Sequence, residues 1–166
     1  MSIKVNVITG FLGVGKTSTI QTLMKNKPAN EYWAIIVNEF GEVGIDESLL
    51  TTDNSDNTIR QIPGGCVCCT VGNALQATLN ELITEVKPDR ILIEPSGIGH
   101  PSGVIDTLEE GLRNIATIQG VITLIDPRNL SSEKHMGHET FVDQIELADI
   151  LIATKVDLCS DTELAK

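Results

Sequence analysis

The feature that most constrains the fold is a glycine-rich stretch from Gly10 to Thr17, with the spacing Gly, four residues, Gly, Lys, Thr. A β-branched run, residues 3–8, precedes it, and residues 18–25 follow with the composition of a helix. A glycine-rich turn between a strand and a helix can curl so that its backbone N–H groups surround a phosphate group. The N-terminus of the helix contributes the positive end of its dipole to the same site. The stretch therefore predicts a nucleotide-binding loop.

Individual residues of this loop have separate expected roles. Lys16 should reach the β and γ phosphates of the nucleotide, and the Thr17 hydroxyl should take a position on Mg²⁺. The residues expected to contact the nucleotide here are Gly10, Gly13, Val14, Gly15, Lys16, Thr17 and Ser18. The alternative is a glycine-rich turn without a ligand.

Composition limits the classes of partner and the location. The chain has 166 residues, which suits one domain, and its formal charge of −11 argues against nucleic acid or an anionic membrane as partner. The sequence contains neither a signal peptide nor eighteen consecutive apolar residues, so we expect a cytoplasmic protein. Its four cysteines would then be reduced and available for metal binding or catalysis.

Further along the chain, apolar runs alternate with segments of helical spacing. Runs of this kind without polar alternation are typical of parallel strands covered on both faces. The expected later strands are residues 33–37, 58–62, 90–94, 119–126 and 150–153, and the expected helices are residues 71–86 and 101–112. We predict one α/β P-loop domain over residues 1–166, with a mostly parallel β-sheet and helices on both faces.

An acidic, glycine-containing segment follows the second predicted strand. Glu39 and Glu42 lie in it, and from Glu39 to Asp56 there are six acidic residues and no Lys or Arg. Such a segment suits either a solvated loop or one that rearranges around a phosphate or metal. Both interpretations stay open, and Glu39 and Glu42 are candidate metal ligands.

Three thiols are clustered within four residues, at Cys66, Cys68 and Cys69, directly after two glycines. Thiolates select Zn²⁺, Cu⁺ or similar ions, and a tetrahedral site would need a fourth ligand from Glu, His or water. The spacing differs from the paired Cys-x-x-Cys of a closed zinc finger, which favours transient metal binding. Buried or redox-active thiols are the alternative. Cys159 stands alone, and we expect an ordinary buried or surface thiol there.

Two more motifs follow predicted strands. Glu94 ends one strand, where P-loop proteins bind Mg²⁺ or its water, and Gly97 can offer its N–H to the γ phosphate. After the last strand, Thr154, Lys155 and Asp157 form a Thr-Lys-x-Asp turn. An Asp in such a turn accepts hydrogen bonds from guanine, which favours GTP over ATP.

Two histidines, His135 and His138, lie in a polar segment, residues 129–138. Their spacing of three would let them share a helix face and bind metal. We favour solvated loop histidines instead.

On these motifs the chain resembles the CobW-like P-loop GTPases, a metallochaperone family related to the hydrogenase and urease nickel-insertion proteins. The resemblance rests on five segments, namely residues 10–17, 38–42, 65–69, 94–97 and 154–157. It implies GTP hydrolysis coupled to delivery of a metal, often zinc or cobalt, to a client metalloprotein, and we also consider a homodimer. Such a domain normally continues beyond the position of Lys166, so we expect an N-terminal fragment.

The expected cofactors are GTP or GDP, Mg²⁺ and Zn²⁺ or another transition metal. Candidate catalytic residues are Lys16, Thr17, Glu94 and Gly97, and Thr17 and Glu94 are also the candidate ligands of Mg²⁺. Two other classes stay open: a metal-independent regulatory GTPase or ATPase, and a zinc-binding interaction module with a vestigial nucleotide site.

Overall fold

Strands and helices alternate along the chain in a computed structural model that describes residues 2–38, 57–62, 71–111 and 115–165. The strands are β1 (Ile3–Gly10), β2 (Trp33–Asn38), β3 (Asn57–Ile62), β4 (Arg90–Glu94), β5 (Ala116–Ile125) and β6 (Ile150–Ala153). The α-helices are α1 (Lys16–Lys25), α2 (Val71–Glu85), α3 (Pro101–Gly111), α4 (Glu133–Met136), α5 (Glu139–Glu146) and α6 (Asp161–Leu164). Two 3-10 helices span Pro127–Ser131 and Val156–Leu158.

The described strands form one six-stranded sheet in the order β3-β2-β4-β1-β5-β6. Every neighbouring pair is parallel. Because parallel strands share one direction, their carboxyl ends meet at one edge, and β1 lies where the strand order reverses. The loops after β1, β4, β5 and β6 are therefore brought together at the edge where ligands bind in such sheets.

The core has two layers, one on each face of the sheet. Adjacent residues of a strand point to opposite faces, so Ile36 packs with one layer and Ile35 with the other. Leu75 and Leu79 of α2 and the apolar side of α3 cover the first face. Ile20 of α1 covers the second. The predicted α/β fold with a parallel sheet and helices on both faces is confirmed.

Element bounds differ from the sequence prediction mainly at β5, which begins at Ala116 rather than at residue 119. A register shift between Val5 and Asn6 of β1 lets this longer strand stay paired. Among the described strands, β3 and β6 lie at the two edges of the sheet, and Ile150 of β6 is 54% exposed. Within the described ranges, no helix has the length and apolar character to cross a membrane.

Candidate nucleotide-binding site

The glycine-rich loop connects β1 to α1 as predicted. Its backbone turns through positive φ at Gly10 (140°) and at Gly15 (102°), which is the N-cap of α1. A Cβ atom on Gly10 would also lie 2.5 Å from the carbonyl oxygen of Leu124, so only glycine fits there. The loop thus places the N-terminus of a ten-residue helix at the carboxyl edge of the sheet.

Lys16 folds back over this loop. Its Nζ donates hydrogen bonds to the carbonyl oxygens of Gly10 at 2.9 Å and Phe11 at 3.4 Å, and the residue is 9% exposed. Burial lowers the pKa of the Lys16 ammonium, whereas the charge of Glu94 raises it. The cation is therefore held over the loop, beside a carboxylate from another strand.

Glu94 is the last residue of β4, and Gly97 lies in the turn that follows. Because β4 is next to β1 in the sheet, both residues lie near the phosphate-binding loop. Glu94 is opposite Val37 of β2. A Cβ atom on Gly97 would lie 2.8 Å from Lys16 Nζ and 3.2 Å from the backbone nitrogen of Leu12. A side chain here would have to displace the Lys16 ammonium, and the close approach brings the turn after β4 against the phosphate-binding loop.

Thr17 and Ser18 lie in the first turn of α1, and Thr17 is half-buried whereas Ser18 is exposed. The Thr17 hydroxyl and the Glu94 carboxylate are hard oxygen donors, which Mg²⁺ prefers in proteins. The donor types near the loop therefore fit Mg²⁺.

The predicted Thr-Lys-x-Asp turn is attached directly to the loop. Thr154 Oγ1 donates to the carbonyl oxygen of Val14 at 2.9 Å and is 3.3 Å from that of Ile125. Lys155 has a φ of 53°, and exposed Asp157 lies in the 3-10 helix that follows. The structure thus brings together the two motifs expected to bind phosphate and guanine.

The buried carboxylate of Asp126 lies beside this turn. Asp126, 4% exposed, accepts hydrogen bonds from Arg128 at 2.9 and 2.6 Å, and Lys155 Nζ is 3.7 Å from it. The hydrogen bond from the Arg128 side chain is the main cause that lowers the pKa of the Asp126 carboxyl. Cys159 is a half-buried free thiol, 3.4 Å from the Lys155 carbonyl oxygen, as expected for an ordinary cysteine.

The turn after β4 is also tied to α5, a connection that sequence reasoning missed. Gln144 Nε2 donates to the carbonyl oxygen of Gly97 at 3.1 Å. His100 Nδ1 and Asp143 Oδ2 are 2.6 Å apart. Two consecutive residues of α5 thus contact residues 95–100 at two points.

The histidines of the polar segment pack on an aromatic ring of the loop. His135 and His138 contact the edge or face of Phe11, with centroids 5.6 and 5.0 Å apart, and Phe141 lies 5.8 Å from Phe11. His135 is half-buried in α4 and 2.9 Å from Ser132 Oγ, so the expectation of a solvated loop is wrong for His135. The sequence signal available for this packing is the spacing of three between His138 and Phe141, together with an aromatic residue, Phe11, inside the glycine-rich loop.

The expected metal ligands Glu39, Glu42, Cys66, Cys68 and Cys69 lie outside the described residues. Among the residues that the structure does describe, no group of three or more His, Cys, Asp or Glu side chains could hold a metal ion.

Comparisons with known proteins show similarity to one family over nearly the whole chain. The sequence profile of the family described as CobW/HypB/UreG, nucleotide-binding domain, matches residues 4–166. The zinc chaperone YeiR of Escherichia coli is 46% identical over 155 residues, which cover 93% of this chain and 47% of YeiR. The zinc-regulated GTPase metalloprotein activator 1 of Schizosaccharomyces pombe is 31% identical over 98% of this chain and 41% of its own length.

A solved structure has the same fold. The Zn(II)-bound YjiA GTPase of Escherichia coli superimposes with a TM-score of 0.70 at 25% identity, over 99% of this chain and 53% of YjiA. The chain thus spans about half the length of the proteins it matches. By its phosphate-binding loop, its sheet and these similarities, the chain belongs to the CobW/HypB/UreG nucleotide-binding domain family.

Proposed function

We propose that this chain binds and hydrolyses GTP with Mg²⁺, and that hydrolysis is coupled to binding a transition metal, zinc or cobalt, and delivering it to a client metalloprotein. The observation that carries the nucleotide part is the hydrogen bond from Thr154 to Val14. It joins the turn expected to read guanine to the loop expected to bind phosphate, so one bound nucleotide could contact both.

Each residue of the site has a role in this proposal. Lys16 neutralises phosphate charge, and the Gly97 N–H binds the γ phosphate. Thr17 and Glu94 would hold Mg²⁺, which neutralises charge developing on the phosphate oxygens. Asp157 accepts hydrogen bonds from the guanine N1–H and 2-amino groups, donors that adenine does not present in that arrangement.

The metal is cargo in this proposal. Cys66, Cys68 and Cys69 supply soft thiolate ligands, and Glu39 or Glu42 is a candidate for the fourth position. The names of the relatives, zinc chaperone and zinc-regulated GTPase metalloprotein activator, support zinc handling. Delivery follows if the nucleotide state changes the ligand set.

The net charge favours a protein as the recipient of the metal. The formal charge of −11 disfavours nucleic acid and anionic membrane surfaces, whereas a client metalloprotein requires neither. A cytoplasmic location and a homodimer stay predictions.

Phosphate release from GTP and from ATP, each with Mg²⁺ and with EDTA, tests the proposal. We expect Mg²⁺-dependent turnover that is faster with GTP than with ATP. Equal use of both nucleotides would support a general NTPase instead. No turnover of either, with zinc binding retained, would support a zinc-binding module and contradict the enzymatic proposal.

A further inference from the structure

Gln144 is a buried polar residue on α5 that the roles above do not use. It is 1% exposed, and its backbone carbonyl oxygen accepts a hydrogen bond from Thr123 Oγ1 of β5 at 2.7 Å. Its side-chain Nε2 donates to the carbonyl oxygen of Gly97 at 3.1 Å. The helix turn that carries Gln144 is thus fixed to the sheet, and its side chain reaches the turn after β4.

Packing alone does not account for a glutamine at this position. Among the described residues, Gln144 Oε1 is buried without a hydrogen-bond partner, which is unfavourable for an amide removed from water. A methionine would fill nearly the same volume without that cost. The property that distinguishes glutamine here is therefore its donor to Gly97.

The contact matters because of where Gly97 lies. The Gly97 Cα is so close to the phosphate-binding loop that an added Cβ would be 2.8 Å from Lys16 Nζ. A hydrogen bond to the Gly97 carbonyl fixes the plane of the peptide that follows Gly97, and so limits the rotations available to this residue. The neighbouring pair of Asp143 and His100, 2.6 Å apart, restrains the same turn three residues later.

We propose that Gln144 is a positioning residue for recognition of the terminal phosphate. It acts through Gly97, because its hydrogen bond holds the turn after β4 in place. In that arrangement the Gly97 N–H can donate to a γ phosphate bound beside Lys16. A donor held in place before binding loses less entropy when the ligand arrives. Gln144 therefore sets the preference for triphosphate over diphosphate. This inference rests on the proposed function.

The test compares Gln144→Met with the wild type and with Gln119→Met, a control on the exposed part of β5. Affinities for GDP and for a non-hydrolysable GTP analogue are measured, together with kcat and KM for GTP. We expect GDP affinity within about twofold of wild type and a loss of about fivefold in analogue affinity, the usual effect of one hydrogen bond. The value of kcat should also fall. The control variant should leave both affinities and kcat unchanged.

An equal loss of affinity for both nucleotides, or an unchanged ratio, would mean that Gln144 only supports the fold. If Gln144→Met does not fold, Gln144→Leu is measured instead, because leucine also lacks the donor to Gly97 and leaves no buried amide unpaired. A wild type that neither binds nor hydrolyses GTP overturns the proposed function and this inference together. If the wild type hydrolyses GTP and Gln144→Met binds both nucleotides as the wild type does, only the positioning role of Gln144 is overturned.

Discussion

The hydroxyl of Thr154 donates a hydrogen bond of 2.9 Å to the carbonyl oxygen of Val14, 140 residues earlier in the chain. Val14 is 3% exposed, and its side chain packs in the core layer beside α1, which restrains the backbone of the loop at this residue. The contact therefore sets the distance between the phosphate-binding loop and the Thr-Lys-x-Asp turn.

Thr154→Val should separate these two motifs while keeping the side-chain shape. Losing one hydrogen bond costs about 1 kcal/mol, which corresponds to a loss of roughly fivefold in GTP affinity. Titration with a fluorescent GTP analogue measures this. The control is Thr107→Val, which removes an exposed threonine hydrogen bond to Gly103 within α3, on the other face of the sheet from α1. Equal affinities in the two variants would contradict the coupling of the motifs.

Lys16→Ala should remove most of the affinity for triphosphate, because it deletes the cation held over the loop. The fold should persist, since burial already lowers the pKa of this ammonium and so disfavours the charged form. Nucleotide titration and circular dichroism measure the two effects, with Lys25→Ala at the end of α1 as control. Wild-type GTP affinity in Lys16→Ala would refute the assignment of the loop.

Asp157→Asn should change base selectivity. The wild-type carboxylate accepts from the guanine 2-amino group, whereas the amide of Asn can donate to the 2-oxo group of xanthine. Competition between GTP and xanthosine triphosphate should therefore shift toward the latter. Asp161→Asn, four residues later in α6, should leave the preference unchanged. If wild type binds GTP, ATP and xanthosine triphosphate equally, the guanine assignment is wrong.

Asp126→Asn should alter the dependence of stability on pH. Hydrogen bonding from Arg128 lowers the pKa of Asp126 below its ordinary value of 3.8, so the carboxylate stabilises the fold above that pH. The contribution is lost as the pH falls through the lower, folded-state pKa. The difference in unfolding free energy between wild type and Asp126→Asn should therefore shrink below pH 3.8. Asp106→Asn, on the exposed side of α3, serves as control, and a difference independent of pH would contradict the pairing.

Much of the fold could be predicted because its signals are local. The strand, loop and helix around Lys16 are contiguous in sequence, and the glycine spacing leaves few other conformations. Apolar runs such as residues 90–94 indicate buried parallel strands, and a parallel sheet places their carboxyl ends at one edge. That rule predicts that Lys16 and Glu94 lie close together. In the structure they are close enough for the charge of Glu94 to raise the pKa of Lys16.

The contacts that could not be predicted join residues far apart in sequence. Gln144 meets Gly97 across 47 positions, and nothing in the helical spacing of α5 distinguishes its donor from an ordinary polar residue. Phe11 meets His135 only because α4 folds over the loop. Such pairs depend on how helices are placed on the sheet, which sequence periodicity does not determine.

In the proposed function, nucleotide state and metal binding are coupled. In sequence, the thiols at Cys66, Cys68 and Cys69 lie between the segment of Glu39 and the turn at Gly97, the two elements expected to respond to the γ phosphate. By linkage, a nucleotide that changes zinc affinity must have its own affinity changed by zinc by the same factor.

The most direct test is the zinc affinity of this chain bound to GDP and bound to a non-hydrolysable GTP analogue. Cys68→Ser is the control, because it removes one thiolate and should weaken zinc binding in both states. The zinc affinity of the wild type should differ by roughly fivefold or more between the two nucleotide states. Identical zinc affinities in both states would contradict the coupling of nucleotide state to metal binding.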